Sequence, residues 1–182
     1  MKIRYNAPVI LTFSLAAVVV LAVTSAVPTA RNLFSLSPHF SPLSPLCWLT
    51  LFTYVLGHAG PAHLVGNLSL ILLVGPLVEE RYGSPLTLFM MAATALVTAM
   101  LQILLFPTGL LGASGIALML ILLSSLTNFK AKEIPLTFVL VAVLFLGREV
   151  VEALKPDQIA HFAHIIGGTC GAAFGFWLGP KK

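Results

Sequence analysis

Residues 61–84 read PAHLVGNLSLILLVGPLVEERYGS. Positions 61–79 form a run long and apolar enough to cross a bilayer, which takes about 20 such residues. Among the polar side chains inside that run are His63 and Asn67. They are four residues apart and therefore share one helix face. A polar group in hydrocarbon is costly, so each one is a candidate for function.

Working outward, the same reading recurs along the chain. Its 182 residues are 58% hydrophobic and 9% charged, against roughly 25% charged in soluble domains. Six apolar stretches qualify as spans, at about 8–27, 61–79, 85–106, 112–127, 134–150 and 158–178. This predicts an all-α integral membrane protein with six helices in a single domain over residues 1–182. The first apolar run is about 20 residues, longer than a signal-peptide core of about 7–15, so it reads as a retained helix. One long connection, 28–60, carries Phe34, Phe40, Trp48, Phe52 and Tyr54 among several prolines. It reads as a segment at the membrane interface with its aromatics at headgroup depth.

Charge placement orients the bundle. With the N-terminus inside, the inner segments hold Lys2, Arg4, Arg81, Lys130, Lys132, Lys181 and Lys182, and the outer ones hold Arg31, Arg148 and Lys155. This fits the positive-inside rule and puts both termini on the cytoplasmic side of a cell membrane. The net charge of +4 is then an orientation signal and does not call for nucleic acid. No Cys-x-x-Cys, P-loop or dinucleotide fingerprint is present, and Cys47 and Cys170 give no support for a disulfide.

Three polar islands interrupt the hydrocarbon: His58, His63 and Asn67; then Ser114 in GASG, 112–115; then His161 and His164 in AHFAHIIGGTCGAAFG, 160–175. The second, fourth and sixth spans all run from outside to inside. His63 and Asn67 lie in the first turns of the second span, and Ser114 lies at the start of the fourth. His164 lies about 9–10 Å below the start of the sixth. All fall in the outer half of the membrane, as a shared site open to the outside requires. Gly167, Gly171 and Gly175 make a smooth strip where a neighbouring helix can press close, and Gly112, Ser114, Gly115 and Ala117 are the matching small surface. Contact there would bring Ser114 to His164. A serine nucleophile needs such a base, and neutral histidine suits the task near pH 7. The Ser114 N–H at a helix N-terminus, Asn67 and His63 are candidate donors to an oxyanion. Asp157 reads as a cap for the sixth helix. His161 is a rival base or an interfacial residue. Gln102, Ser69, Ser124 and Ser125 read as packing or local hydrogen bonds.

These motifs resemble those of the rhomboid intramembrane serine proteases, over the second to sixth spans. HLVGNLSLILLVGPLVEERYGS, from 63, resembles the family's His-x-x-x-Asn helix with its acidic-basic-glycine end. GASG resembles Gly-x-Ser-Gly, and AHIIGGTCG, from 163, resembles Ala-His-x-x-Gly-x-x-x-Gly. The resemblance implies a six-helix rhomboid-like bundle and a serine endopeptidase acting near the outer end of single-span transmembrane substrates within the lipid bilayer. Ser114 would be the nucleophile and His164 the base, with His63 and Asn67 serving the oxyanion. Gly112, Gly115, Gly167, Gly171 and His58 would give structural support, as would Glu79 and Arg81 at the inner end of the second span. No cofactor or metal is implied. The sequence departs from the family pattern at Leu49 after Trp48, at Leu118 and at Met119. A catalytically inactive relative that binds membrane proteins is the alternative; a histidine-based metal or proton transporter would leave Ser114 unexplained.

Overall fold

The computed structural model describes residues 4–126, 136–141, 143–144 and 159–178. Its helices are α1 (Pro8–Ala26), α2 (Pro45–Thr53), α3 (Pro61–Tyr82), α4 (Ser84–Leu105), α5 (Ser114–Ser125) and α6 (Ile159–Leu178), with 3-10 turns at Pro28–Phe34 and Tyr54–Leu56. Among the described residues the only extended pairing is an isolated antiparallel bridge, Leu36 to Leu110. Pro8, Pro45 and Pro61 open α1, α2 and α3, where a fixed φ helps and a missing N–H costs nothing.

Among the described residues three helices are long and apolar enough to cross a membrane: α1 with 19 residues, α3 with 22 and α4 with 22. At 1.5 Å per residue they measure about 28–33 Å, matching a hydrocarbon core of about 30 Å. α3 runs past the predicted end at 79, through Glu80 and Arg81, and stops at Gly83, whose φ is 81°. The predicted fourth span is the 12-residue α5, about 18 Å long. In the predicted fifth span, 136–141 and 143–144 are helical, and Phe138 and Val141 pack with Val74 on Leu118, Ile121 and Leu122. The rest of 134–150 lies outside the described residues, as do Lys130, Lys132, Arg148, Lys155, Asp157, Lys181, Lys182 and the side chain of His161.

One end of the bundle is organised by a buried carboxylate. Glu79 is 4% exposed. Its Oε1 accepts from Val9 N–H at 2.9 Å and its Oε2 from Ile10 N–H at 3.0 Å. Ala7, at the N-cap of α1, has no side chain able to cap, so a residue of α3 satisfies the first-turn donors and the helix dipole. Glu79 Oε1 also accepts from Ser84 Oγ at 2.6 Å, so one side chain ties together α1, α3 and α4. This gives a physical cause for the structural role expected of Glu79.

At the opposite end the long connection is folded, and one aromatic departs from expectation. Trp48 and Phe52 are exposed at 54% and 46%, as interfacial rings should be, but Tyr54 is 3% exposed. Its hydroxyl donates to Ala95 O at 3.1 Å, near the midpoint of α4. The reason is the turn Tyr54–Leu56, which dives inward and aims a ring with a polar tip at a buried acceptor.

α5 is the central helix, packing on α3, α4 and α6. Every residue from Gly115 to Leu123 is buried, as expected of a helix that is apolar all round. A methyl group on Gly167 would collide with the Gly115 carbonyl, and one on Gly171 with the Met119 carbonyl. α5 and α6 therefore touch backbone to backbone. Gly175 continues the strip against Leu126.

Glu79→Ala is expected to destabilise the bundle by about 2–3 kcal/mol, the scale of losing hydrogen bonds to a charged group, read as a lowered unfolding midpoint in detergent. Gly167→Ala should cost about 1–3 kcal/mol by overpacking. Gly66→Ala, where nothing lies within 4 Å, should be neutral or stabilising by up to about 1 kcal/mol.

Candidate active site

Ser114 is the first residue of α5, after Ala113 at the N-cap. The first intrahelical bond runs from Ala117 N–H to Ala113 O at 2.9 Å. The N–H groups of the first turn carry no such bond and face the positive end of the helix dipole. Ser114 itself is half-buried. Because α5 is short, its N-terminus is reached through a non-helical segment, 106–113. Such backbone is tolerated at membrane depth only where protein surrounds it or a water-filled cavity is lined by it.

That segment is held from several sides. Gln102, fully buried, donates to Thr108 O at 3.1 Å and to its Oγ1 at 3.2 Å. Leu36 and Leu110 exchange backbone bonds of 2.8 and 3.3 Å, and Gly112 N–H donates to Tyr54 O at 3.0 Å. Phe106 packs on Phe162 of α6 with ring centroids 4.8 Å apart.

Gly112 corrects one expectation. It was expected inside a helix, as part of the small surface facing the sixth span. Instead it precedes α5 with φ at 122°, a conformation that side-chain-bearing residues rarely adopt. It faces α3: a methyl group there would lie 2.8 Å from His63 Cε1, 3.0 Å from His63 Nε2 and 3.7 Å from Asn67 Nδ2. The positive φ and the missing side chain together bring His63 and Asn67 against the backbone two residues before Ser114.

Hydrogen bonds define the histidine tautomers. Ala59 N–H donates to His63 Nδ1 at 3.4 Å, so neutral His63 carries its proton on Nε2, the nitrogen beside Gly112. His58 Nδ1 lies 3.1 Å from Leu56 O, an acceptor, so that nitrogen is the donor. The two rings meet edge to face at 5.1 Å, and His58 thereby backs His63. His58 is 2% exposed, and burial pushes its pKa below the ordinary value. Asn67 is 6% exposed, and its Nδ2 has no hydrogen-bond partner among the described residues. Buried donors are rarely left unpaired.

α6 approaches from the other side. Gly115 Cα faces Ala163 O, with a methyl group there lying 3.1 Å from it, and Gly167 faces the Gly115 backbone. Ser114 and His164 are the chain neighbours of Gly115 and Ala163, so they occupy adjoining positions on helices in backbone contact. His164 is half-buried. The expected islands thus converge at one end of the bundle. Ser69, Ser124 and Ser125 bond to carbonyls of their own helices, as read from sequence. Cys47 and Cys170 are free thiols. Tyr54 was missed as a site-positioning residue. Its role runs through a backbone carbonyl, which every residue has, so no sequence signal marks it.

The family model described as Rhomboid domain matches residues 45–181, most of the chain. The chain belongs to the rhomboid family. No curated protein matches it. Family and apolar helices together make it an integral membrane protein. For a rhomboid-family chain the convergence of Ser114, His63 and Asn67 around Gly112 is the part of the fold to read chemically.

The buried His58 generates a pH dependence. Its folded pKa lies below the ordinary 6.5, so the unfolded chain takes up the proton first as pH falls. Stability from this group is full above about 6.5 and is lost below it. Unfolding midpoints measured from pH 8 to pH 5 should fall at the acid end, and His58→Gln should flatten that fall.

Proposed function

We propose that this rhomboid-family chain is an intramembrane serine endopeptidase that cleaves single transmembrane segments near the membrane face on which α5 begins. The observation that carries the reading is the buried Asn67 amide donor, without a partner among the described residues, beside Gly112 and two residues from Ser114. A donor left unpaired in a dry site costs about 1–3 kcal/mol. A developing oxyanion is the partner that would relieve that cost.

In this reading Ser114 Oγ attacks the scissile carbonyl while His164 takes its proton. The negative charge that develops on the carbonyl oxygen meets the Ser114 N–H, the Asn67 amide and the Nε2–H of His63. Collapse releases the amine product, which takes the proton from His164. Water then attacks the acyl-enzyme with His164 acting as base; the acyl–Oγ bond breaks, His164 returns the proton to Ser114 Oγ, and the acid product leaves. No cofactor or metal takes part. Substrate peptide bonds are hidden in a stable helix, so helix-weakening residues near the cut should favour cleavage. The charge bias of the loops supports placing this face outside, with both termini cytoplasmic, in a cell membrane.

In proteoliposomes carrying a transmembrane reporter, the wild type is expected to cut and both Ser114→Ala and His164→Ala to fail. Asn67→Ala should lower kcat by 10²–10³, about 2.7–4 kcal/mol, while still labelling with a serine-reactive fluorophosphonate. An intact reporter together with no labelling at Ser114 would replace the protease with an inactive membrane-protein binder.

A further inference from the structure

A cavity of about 490 Å³ lies away from Ser114, between the first half of α1, the first half of α4 and the segment from α2 to Leu56. Phe13 and Ala16 form one wall, Met91 and Ala92 the other, and Ile116 of α5 lies at its back; Thr12 is its only polar lining residue. An apolar void of this kind stays dry, and left empty it forfeits the dispersion contacts of its walls. In a bilayer the available filler is hydrocarbon.

The shape selects the occupant. Tyr54, in the segment that roofs the cavity, bonds to Ala95 near the midpoint of α4, so the cavity is confined to the half of the bilayer beside the α1 N-terminus. Its walls extend over residues 8–16 of α1 and 88–95 of α4, about 12 Å of helix. The slot is only about 12 Å deep, whereas a substrate helix that spans the hydrocarbon needs about 30 Å, so the slot takes acyl chain and not a whole substrate helix.

The mouth carries matching chemistry. Arg4 and Tyr5 are exposed immediately before α1. Tyr5 folds back along the helix so that its hydroxyl lies 2.9 Å from Thr12 Oγ1. A cation and a tyrosine at headgroup level beside an acyl slot suit an anionic phospholipid. We propose that an anionic phospholipid of the leaflet beside the α1 N-terminus inserts acyl chain between α1 and α4, with its phosphate at Arg4.

The test uses the full chain in vesicles of phosphatidylcholine and phosphatidylglycerol at three to one, with a diazirine on the phosphatidylglycerol acyl chain. After illumination, crosslinked peptides are mapped; separately, native mass spectrometry counts the lipids retained after detergent washing. Crosslinks concentrated in α1 and α4, with one retained phosphatidylglycerol, are expected. Filling the slot by Ala92→Phe or Ala16→Phe should reduce retention at least tenfold, and space-preserving Ala92→Ser should not. Arg4→Gln should lower retention of phosphatidylglycerol severalfold and leave phosphatidylcholine unchanged. Crosslinks as dense on the outward-facing Val19 and Leu73 as on the slot walls would overturn the proposal; wild-type chain suffices for that reading even if a filled variant fails to fold. Unchanged retention in folded Phe variants, or displacement of the lipid by a transmembrane reporter that crosslinks to the same walls, would also overturn it.

Discussion

Gly115, Gly167 and Gly171 let α5 and α6 meet along their backbones, and the bundle is arranged around that meeting. Any side chain at Gly167 or Gly171 would run into a carbonyl of α5, which cannot swing aside as a rotamer can. In a membrane, helices gain little from burying apolar surface against one another, and close packing of small residues does more of the work. The same contact sets the distance between the chain carrying Ser114 and the chain carrying His164. In the proposed reading, packing and chemistry share one set of residues. A substitution that loosens the helices should therefore act on both.

The two ends of the bundle meet their polar demands in different ways. At one end Glu79 answers the open donors at the start of α1 and the Ser84 hydroxyl, and is saturated by them. At the other end the polar groups are held in place but not all answered. Tyr54 O anchors Gly112, Ala59 N–H fixes the His63 ring, and Gln102 pins the segment at Thr108. Among the described residues the Asn67 donor has no partner, and neither has the Tyr82 hydroxyl near Glu79. A satisfied network lends rigidity, whereas an incomplete one is a place where a further group can bind.

Much of this was legible in the amino-acid order. Apolar run lengths marked α1, α3 and α4 as helices able to cross a membrane. The cost of polar groups in hydrocarbon singled out His63, Asn67, Ser114 and His164, and the glycine spacing identified the α6 contact strip. These are properties of composition and helical period, and they hold whatever the neighbours are.

What the order could not supply was the partner of each group. Gly112 read as helix and packing surface, yet it is a positive-φ residue facing His63, because the conformation of one glycine depends on what binds its N–H. Tyr54 read as an interfacial ring, yet a 3-10 turn carries it to the middle of α4. The cap of α1 comes from Glu79, about 70 residues away. Local pattern determined that this chain forms membrane helices interrupted by polar islands. Only tertiary structure decided which donor meets which acceptor, since hydrogen bonds depend on distances between segments that sequence separation does not encode.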